Sequence, residues 1–171
     1  MNAVQRVVVR VDASVAMGMG HLMRCLSLAR ALADDRAEIL FVLRGYAAGL
    51  AGLIGSEGHA ARLLADPDRP ADPATNGTAH ASWLPTSWQE DAEQMLLAIG
   101  DIGAIDWLIV DHYALDGRWE RMLRQRVLRI LAIDDLADRD HDCDILLDQN
   151  LVQAMERRYR GRLPATCRPL L

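Results

Sequence analysis

The run Gly18-Met19-Gly20-His21 sets a histidine directly after a glycine turn, where an apolar-periodic segment begins. Glycines let a backbone approach a ligand closely. A helix starting there offers free N–H groups and the positive end of its dipole. An imidazole in that first turn is favoured in its neutral form, which can take a proton from water. Asp12, closing the preceding apolar run, is the carboxylate that topology offers to orient the ring. A surface or capping histidine without a role fits the same spacing equally well. Arg24 follows one turn later, where it suits an anionic or polar substrate group or, equally, a surface salt bridge.

Asp111-His112-Tyr113 and Asp134-Asp135 each close a further apolar run. His112, His141 and Cys143 are donor types that suit zinc. They lack any recognised ligand spacing, so no metal is expected. A dinucleotide fingerprint fails twice: Met23 stands at the third glycine position, and the second apolar run ends in Leu43-Arg44 without an acidic residue for a ribose. No cofactor is expected. All 19 cationic side chains are arginine, which excludes a P-loop lysine, a Schiff-base lysine and a lysine base. No G-x-S-x-G elbow occurs. Cys25 lies on the apolar face of the first helix. The three cysteines show no C-x-x-C spacing, and reduced thiols in a cytoplasmic protein are the expectation. The four tryptophans are too irregularly spaced for a stacking platform and read as core.

These residues need elements to hold them. The short β-branched run at 7–11 and the apolar runs at 39–43 and 107–110 read as buried strands, 129–133 as a further strand, and 60–64 and the shorter 144–147 as candidate strands. Apolar spacings of three and four predict a helix over 21–34. A second is expected over 48–57, weakened by its glycines. A third starts at the Ser87-x-x-Glu90 capping box and runs to Ile99. A fourth covers 116–126, with Trp119, Met122 and Leu123 inward. Between 65 and 85 a proline-rich stretch with Pro67, Pro70, Pro73 and Pro85 reads as one long loop inside the domain. Strands alternating with helices imply a Rossmann-like, doubly wound parallel α/β sheet. Ligands in such sheets bind beyond the carboxyl ends of the strands, which is where Asp12, Asp111, His112, Tyr113, Asp134 and Asp135 fall.

The chain has 171 residues, the size of one domain, with 51% hydrophobic and 25% charged residues. A net charge of −5 argues against nucleic acid or anionic lipid as partners. No apolar run approaches the ~18 residues of a membrane span. Arg10 and Asp12 interrupt the N-terminal run too early for a signal peptide.

Three blocks carry a resemblance: Arg10-Val-Asp-Ala-Ser with Gly18-Met-Gly-His21-Leu-Met-Arg24-Cys25-Leu26; Val110-Asp111-His112-Tyr113; and Ile133-Asp134-Asp135 through His141-Asp-Cys143-Asp144 to Asn150. In this order they resemble the UDP-2,4-diacetamido-2,4,6-trideoxy-β-L-altropyranose hydrolases of pseudaminic acid biosynthesis. That family is similar to GT-B glycosyltransferases of the MurG type. The resemblance implies cleavage of the anomeric C–O bond of a UDP-sugar by water, with inversion and without a metal. It implies His21 as the base and Tyr113 as a second catalytic residue. The substrate-binding candidates are Asp12, Gly18, Gly20, Arg24, Asp111, His112, Asp134 and Asp135. It further implies that residues 1–171 form the N-terminal GT-B half, with the C-terminal nucleotide-binding domain absent or supplied as a separate chain. A GT-B glycosyltransferase half and a non-enzymatic Rossmann-like binding domain are the alternatives.

Overall fold

The valines of the first apolar run form β1 (Gln5–Val11), buried on both sides from Val7 onward. β-Branched side chains suit a strand that packs on both of its faces. The computed structural model describes residues 4–171 except Asp35, Pro73, Thr75, Val152 and Ala154. Beside β1 lie β2 (Ala37–Arg44), β3 (Ala60–Leu64), β4 (Ile105–Asp111), β5 (Val127–Ile133), β6 (Ile145–Leu147) and β7 (Arg168–Leu170). Their order is β3-β2-β1-β4-β5-β6-β7, and every pairing is parallel. This is the expected Rossmann-like α/β sheet. The chain winds outward in one direction from β1 and in the other from β4, so a topological switch point lies between these two strands.

Helices cover both faces. α1 (Gly20–Asp34) packs Leu22, Cys25, Leu26 and Ala29 against Val7, Val9, Val11, Ile109 and Ile133. α2 (Ala51–Ser56) adds Ile54 to the same core. On the opposite face, α3 (Trp88–Ala98) and α4 (Gly117–Leu123) pack Ala92, Met95, Trp119 and Leu123 against Val8, Val42, Leu108, Val110 and Ala132. Odd and even strand positions therefore face different helices, as the two-residue side-chain period requires. A four-residue helix, α5 (Met155–Arg158), precedes β7.

The expected start of α3 is present: the Glu90 N–H donates to Ser87 Oγ at 3.1 Å. The helix expected over 48–57 is a 3₁₀ segment, Gly45–Leu50, running into α2. Gly49 lies in the 3₁₀ part, whereas α2 accommodates Gly52 and Gly55. α4 ends at Leu123, three residues short of expectation. The following Arg124 turns its guanidinium to Asp142 and Asp144. β7 is unanticipated; it carries Pro169, which an edge strand tolerates. The loop expected over 65–85 holds a 3₁₀ turn at Ala81–Trp83; its Pro73 lies outside the described residues. Among the described residues no helix is long and apolar enough to cross a membrane.

Candidate functional site at the switch point

Where β1 leaves the sheet, the chain makes a tight loop. Gly18 N–H donates to the Ser14 carbonyl at 2.7 Å, and Gly18 adopts φ +72°. That left-handed conformation favours glycine. The loop delivers His21 to the first turn of α1, one turn before Arg24 and Cys25. A Cβ at Gly18 or Gly20 would meet nothing within 4 Å. Gly18 thus shapes the turn, and nothing in the folded chain crowds either glycine.

Asp111, the last residue of β4, stands in register with Val11 and so faces α1. His21 Nδ1 lies 2.7 Å from Asp111 Oδ1. Arg24 grips both oxygens of the same carboxylate, Nε to Oδ2 at 2.5 Å and NH2 to Oδ1 at 2.5 Å. Cys25 Sγ approaches Oδ2 at 3.6 Å. Burial alone would push Asp111 up. The Arg24 guanidinium and the His21 ring overcome it and hold the carboxyl below the usual range. Asp111 is therefore an ionised acceptor. An ionised carboxylate only accepts, so the Nδ1–H of His21 donates to it, and Nε2 is the ring nitrogen that Asp111 does not engage.

Arg24 also reaches Asp135 Oδ2 at 3.1 Å, and the Tyr113 hydroxyl donates to Asp135 Oδ1. Burial, then that carboxylate, raises the Tyr113 phenol far above its ordinary value, so it remains a donor. The Tyr113 ring meets His21 edge-on with centroids 4.5 Å apart. His21, Arg24, Asp111, Tyr113 and Asp135 thus form one connected cluster at the carboxyl edge of the sheet.

Three of the expected site residues lie elsewhere. Asp12 does not orient His21. It shares strand parity with Val8 and Arg10, faces α3, and is fully buried. There it binds Arg10 NH1 at 2.7 Å and accepts from the Arg44 N–H at 2.8 Å. Asp91 of α3 completes this interior network, taking Arg10 NH2 at 2.8 Å and Arg44 NH2 at 2.5 Å. His112 lies on the same face. Its Nδ1 accepts from the Ala114 N–H at 3.1 Å, and its Nε2 is 3.3 Å from Asp12 Oδ2. Burial lowers its pKa, so the ring is neutral. Asp134 is fully buried too, bound to Arg139 NH1 at 2.8 Å and to the Leu136 and Ala137 N–H groups. It organises the turn after β5. The side chains of Asp12, His112 and Asp134 thus make these contacts away from the His21 ring.

His141 and Cys143 do not gather around a metal. His141 Nδ1 lies 2.7 Å from Glu120 Oε1, while Cys143 Sγ is 3.6 Å from Cys167 Sγ. Among the described residues no group of three or more His, Cys, Asp or Glu side chains is arranged to hold a metal ion.

Two residues at the site escaped sequence reasoning. Trp83, read as core, stacks on Tyr113 at 5.4 Å and 24°, and His80 lies 5.3 Å from Tyr113. The available signal was position. Both sit on the long loop after β3, at the strand ends where such sheets carry their sites.

The fold and this cluster define the class: a Rossmann-like α/β layer with a His–Asp pair at its switch point. Comparison with known proteins takes the assignment no further. No protein-family model and no curated protein matches the chain. A solved structure described as the glycotransferase of kitacinnamycin overlays it at 14% identity and TM-score 0.49, over 95% of this chain and 34% of that one. A FabI–NADH complex from Alistipes finegoldii overlays it at 11% identity and TM-score 0.39, over 92% of this chain and 56% of that one. The chain thus spans about a third of the first structure and just over half of the second. At these values neither likeness bears on function.

Proposed function

We propose that this chain is the base-bearing half of a nucleotide-sugar hydrolase acting on a UDP-linked 2,4-diacetamido-2,4,6-trideoxy sugar. One observation carries the reading: the His21 Nδ1–Asp111 contact of 2.7 Å at the switch point, which aims the basic character of the ring at Nε2. The sequence blocks around His21, Asp111-His112-Tyr113 and Asp134-Asp135, similar to those of the hydrolase family, supply the substrate class.

In the reaction, Nε2 takes a proton from water as the water oxygen attacks the anomeric carbon. The C–O bond to UDP breaks from the opposite face. Its electron pair leaves on the β-phosphate oxygen, giving UDP and the free sugar with inverted configuration. Asp111 stabilises the imidazolium that forms, as the buried aspartate does in hydrolytic triads. Arg24 keeps Asp111 ionised and in place. Tyr113, tied to Asp135, sets the position of the His21 ring. UDP is a good leaving group, so the second carboxyl group of an ordinary inverting glycosidase is not required. Nucleotide contacts belong to a second domain, in the same polypeptide or in a partner chain. The GT-B glycosyltransferase alternative uses the same His21, with a sugar hydroxyl in place of water.

The test is turnover of the UDP-sugar in ¹⁸O-water by the protein with its second domain. The hydrolase reading expects one labelled oxygen at C1 of the free sugar, none in UDP, and an inverted anomer in the first NMR spectra. Label in the phosphate overturns it. Turnover that requires an added sugar acceptor gives the site to a transferase.

A further inference from the structure

We propose that Trp83 and His80, with the ring of Tyr113, form a carbohydrate-binding aromatic wall beside His21 that takes the apolar face and methyl substituents of the pyranose. The inference rests on the reading of the His21 cluster as a sugar site, and adds to it the residues that select the sugar.

Four rings meet at this point. Trp83 stacks on Tyr113, meets His21 edge-on with centroids 6.0 Å apart, and lies 4.8 Å from His80. The wall has a fixed base. Asn76, fully buried, donates from Nδ2 to the Thr86 carbonyl at 2.9 Å and accepts from the Trp88 N–H at 2.7 Å. Arg44 NH2 donates to Thr86 Oγ1 at 3.1 Å. Ala71 N–H donates to the Pro85 carbonyl at 2.7 Å, closing the loop on itself.

The exposure pattern of the 3₁₀ turn separates support from display. Ala81 and Leu84 are buried at 5% and 2%, and hold the turn to the core. Trp83 between them stays partly open, as does His80. A tryptophan that served packing alone would resemble Trp119, whose ring is wholly enclosed. His80 Nδ1 is buried with no hydrogen-bond partner among the described residues, although the folded chain satisfies most such atoms.

The chemistry fits a particular kind of sugar. Aromatic rings offer broad apolar area at low conformational cost, with a polar edge beside it. A pyranose turns C–H bonds to such a surface, and a 6-deoxy methyl and two N-acetyl methyls enlarge that apolar area. A fully hydroxylated hexose would bring polar groups against the wall. Trp83 and His80 therefore determine specificity, with Trp83 as the main contact.

The experiment measures binding and turnover separately, on the protein with its second domain. Saturation-transfer NMR with the free 2,4-diacetamido-2,4,6-trideoxy sugar gives Kd without requiring hydrolysis. Kinetics with its UDP derivative give KM and kcat. Trp83→Ala should raise Kd and KM by roughly 10–100-fold and change kcat less, the scale of discrimination an apolar pocket supplies. Trp83→Phe, which keeps a ring and the fold, should recover most of that loss. His80→Leu should weaken binding by a smaller factor. A folded Trp83→Ala protein whose Kd and KM stay within twofold of wild type overturns the proposal, as does a Trp83→Phe protein no better than Trp83→Ala. Sugar binding that depends on Trp83 without any hydrolysis would leave the wall standing and remove the hydrolase reading.

Discussion

Replacing Asp91 with alanine should unfold this domain far more readily than an average core substitution. Asp91 lies in the first turn of α3 with no solvent exposure. Its carboxylate takes Arg10 Nε at 3.3 Å, Arg10 NH2 at 2.8 Å, Arg44 NH2 at 2.5 Å and Trp119 Nε1 at 3.0 Å. Two guanidinium groups and two carboxylates, Asp12 and Asp91, thus balance inside the protein. Removing one carboxylate leaves a buried positive charge and an unpaired indole N–H. Breaking a buried pair in this way costs about 3–5 kcal/mol. For a chain of this length the melting temperature should fall by roughly 6–20 °C. Urea titration followed by circular dichroism should show a lower midpoint with an unchanged slope. The acid limb provides a second reading. Burial opposes ionisation of Asp12 and Asp91, but Arg10 beside both, with Arg44 beside Asp91, holds them below the ordinary carboxylate range. A depressed folded value contributes stability above an ordinary pKa of about 4, and that contribution is lost as pH falls through the folded value. Asp91→Asn should flatten the acid limb. A loss under about 1 kcal/mol for both variants would refute the picture of a charge-balanced interior, because it would be no more than a surface pair contributes.

Two further outcomes follow from named contacts. Burial alone would lower His141, but Glu120 at 2.7 Å and Asp134 at 3.6 Å lift it to about 9. Its contribution, roughly 3 kcal/mol, is complete below about pH 6.5 and fades as pH rises toward 9. Urea midpoints of wild type and His141→Gln should therefore converge between pH 6 and 9.5, and a constant gap contradicts the ion pair. Asp111→Asn keeps the shape of the side chain but removes the anion that fixes the His21 tautomer. It should lower kcat by about 10²–10⁴-fold with KM little altered, and a loss under tenfold contradicts the orienting role.

Most strands were legible because runs of three to five apolar, often β-branched residues have few other uses in a soluble chain. β7 was not, because Arg168-Pro169-Leu170 becomes a strand only by pairing with β6. The site was legible to the level of strand ends and no finer. Residues at adjacent strand-end positions divide between the two faces of the sheet: Asp111, Tyr113 and Asp135 turn toward α1, and Asp12, His112 and Asp134 turn away. Alternation predicts this division once β1 and β4 are aligned Val11 to Asp111, but that register is set by long-range pairing, which no local pattern encodes. The interior network was hidden for a related reason. Arg10 looks like an interruption of an apolar strand until α3 brings Asp91 to it. Trp83 and His80 lie on a loop whose path depends on Asn76 and Thr86, so their spacing carried no period to read.

The turnover number of His21→Asn bears most directly on the central claim. The amide preserves hydrogen bonding to Asp111 but cannot accept a proton from water. The hydrolase reading predicts that kcat on the UDP-linked sugar falls by about 10²–10⁴-fold while KM stays close to wild type. Near-normal kcat in the folded His21→Asn protein would contradict it, and would return His21 to a role in holding Asp111 and Tyr113 at the head of α1.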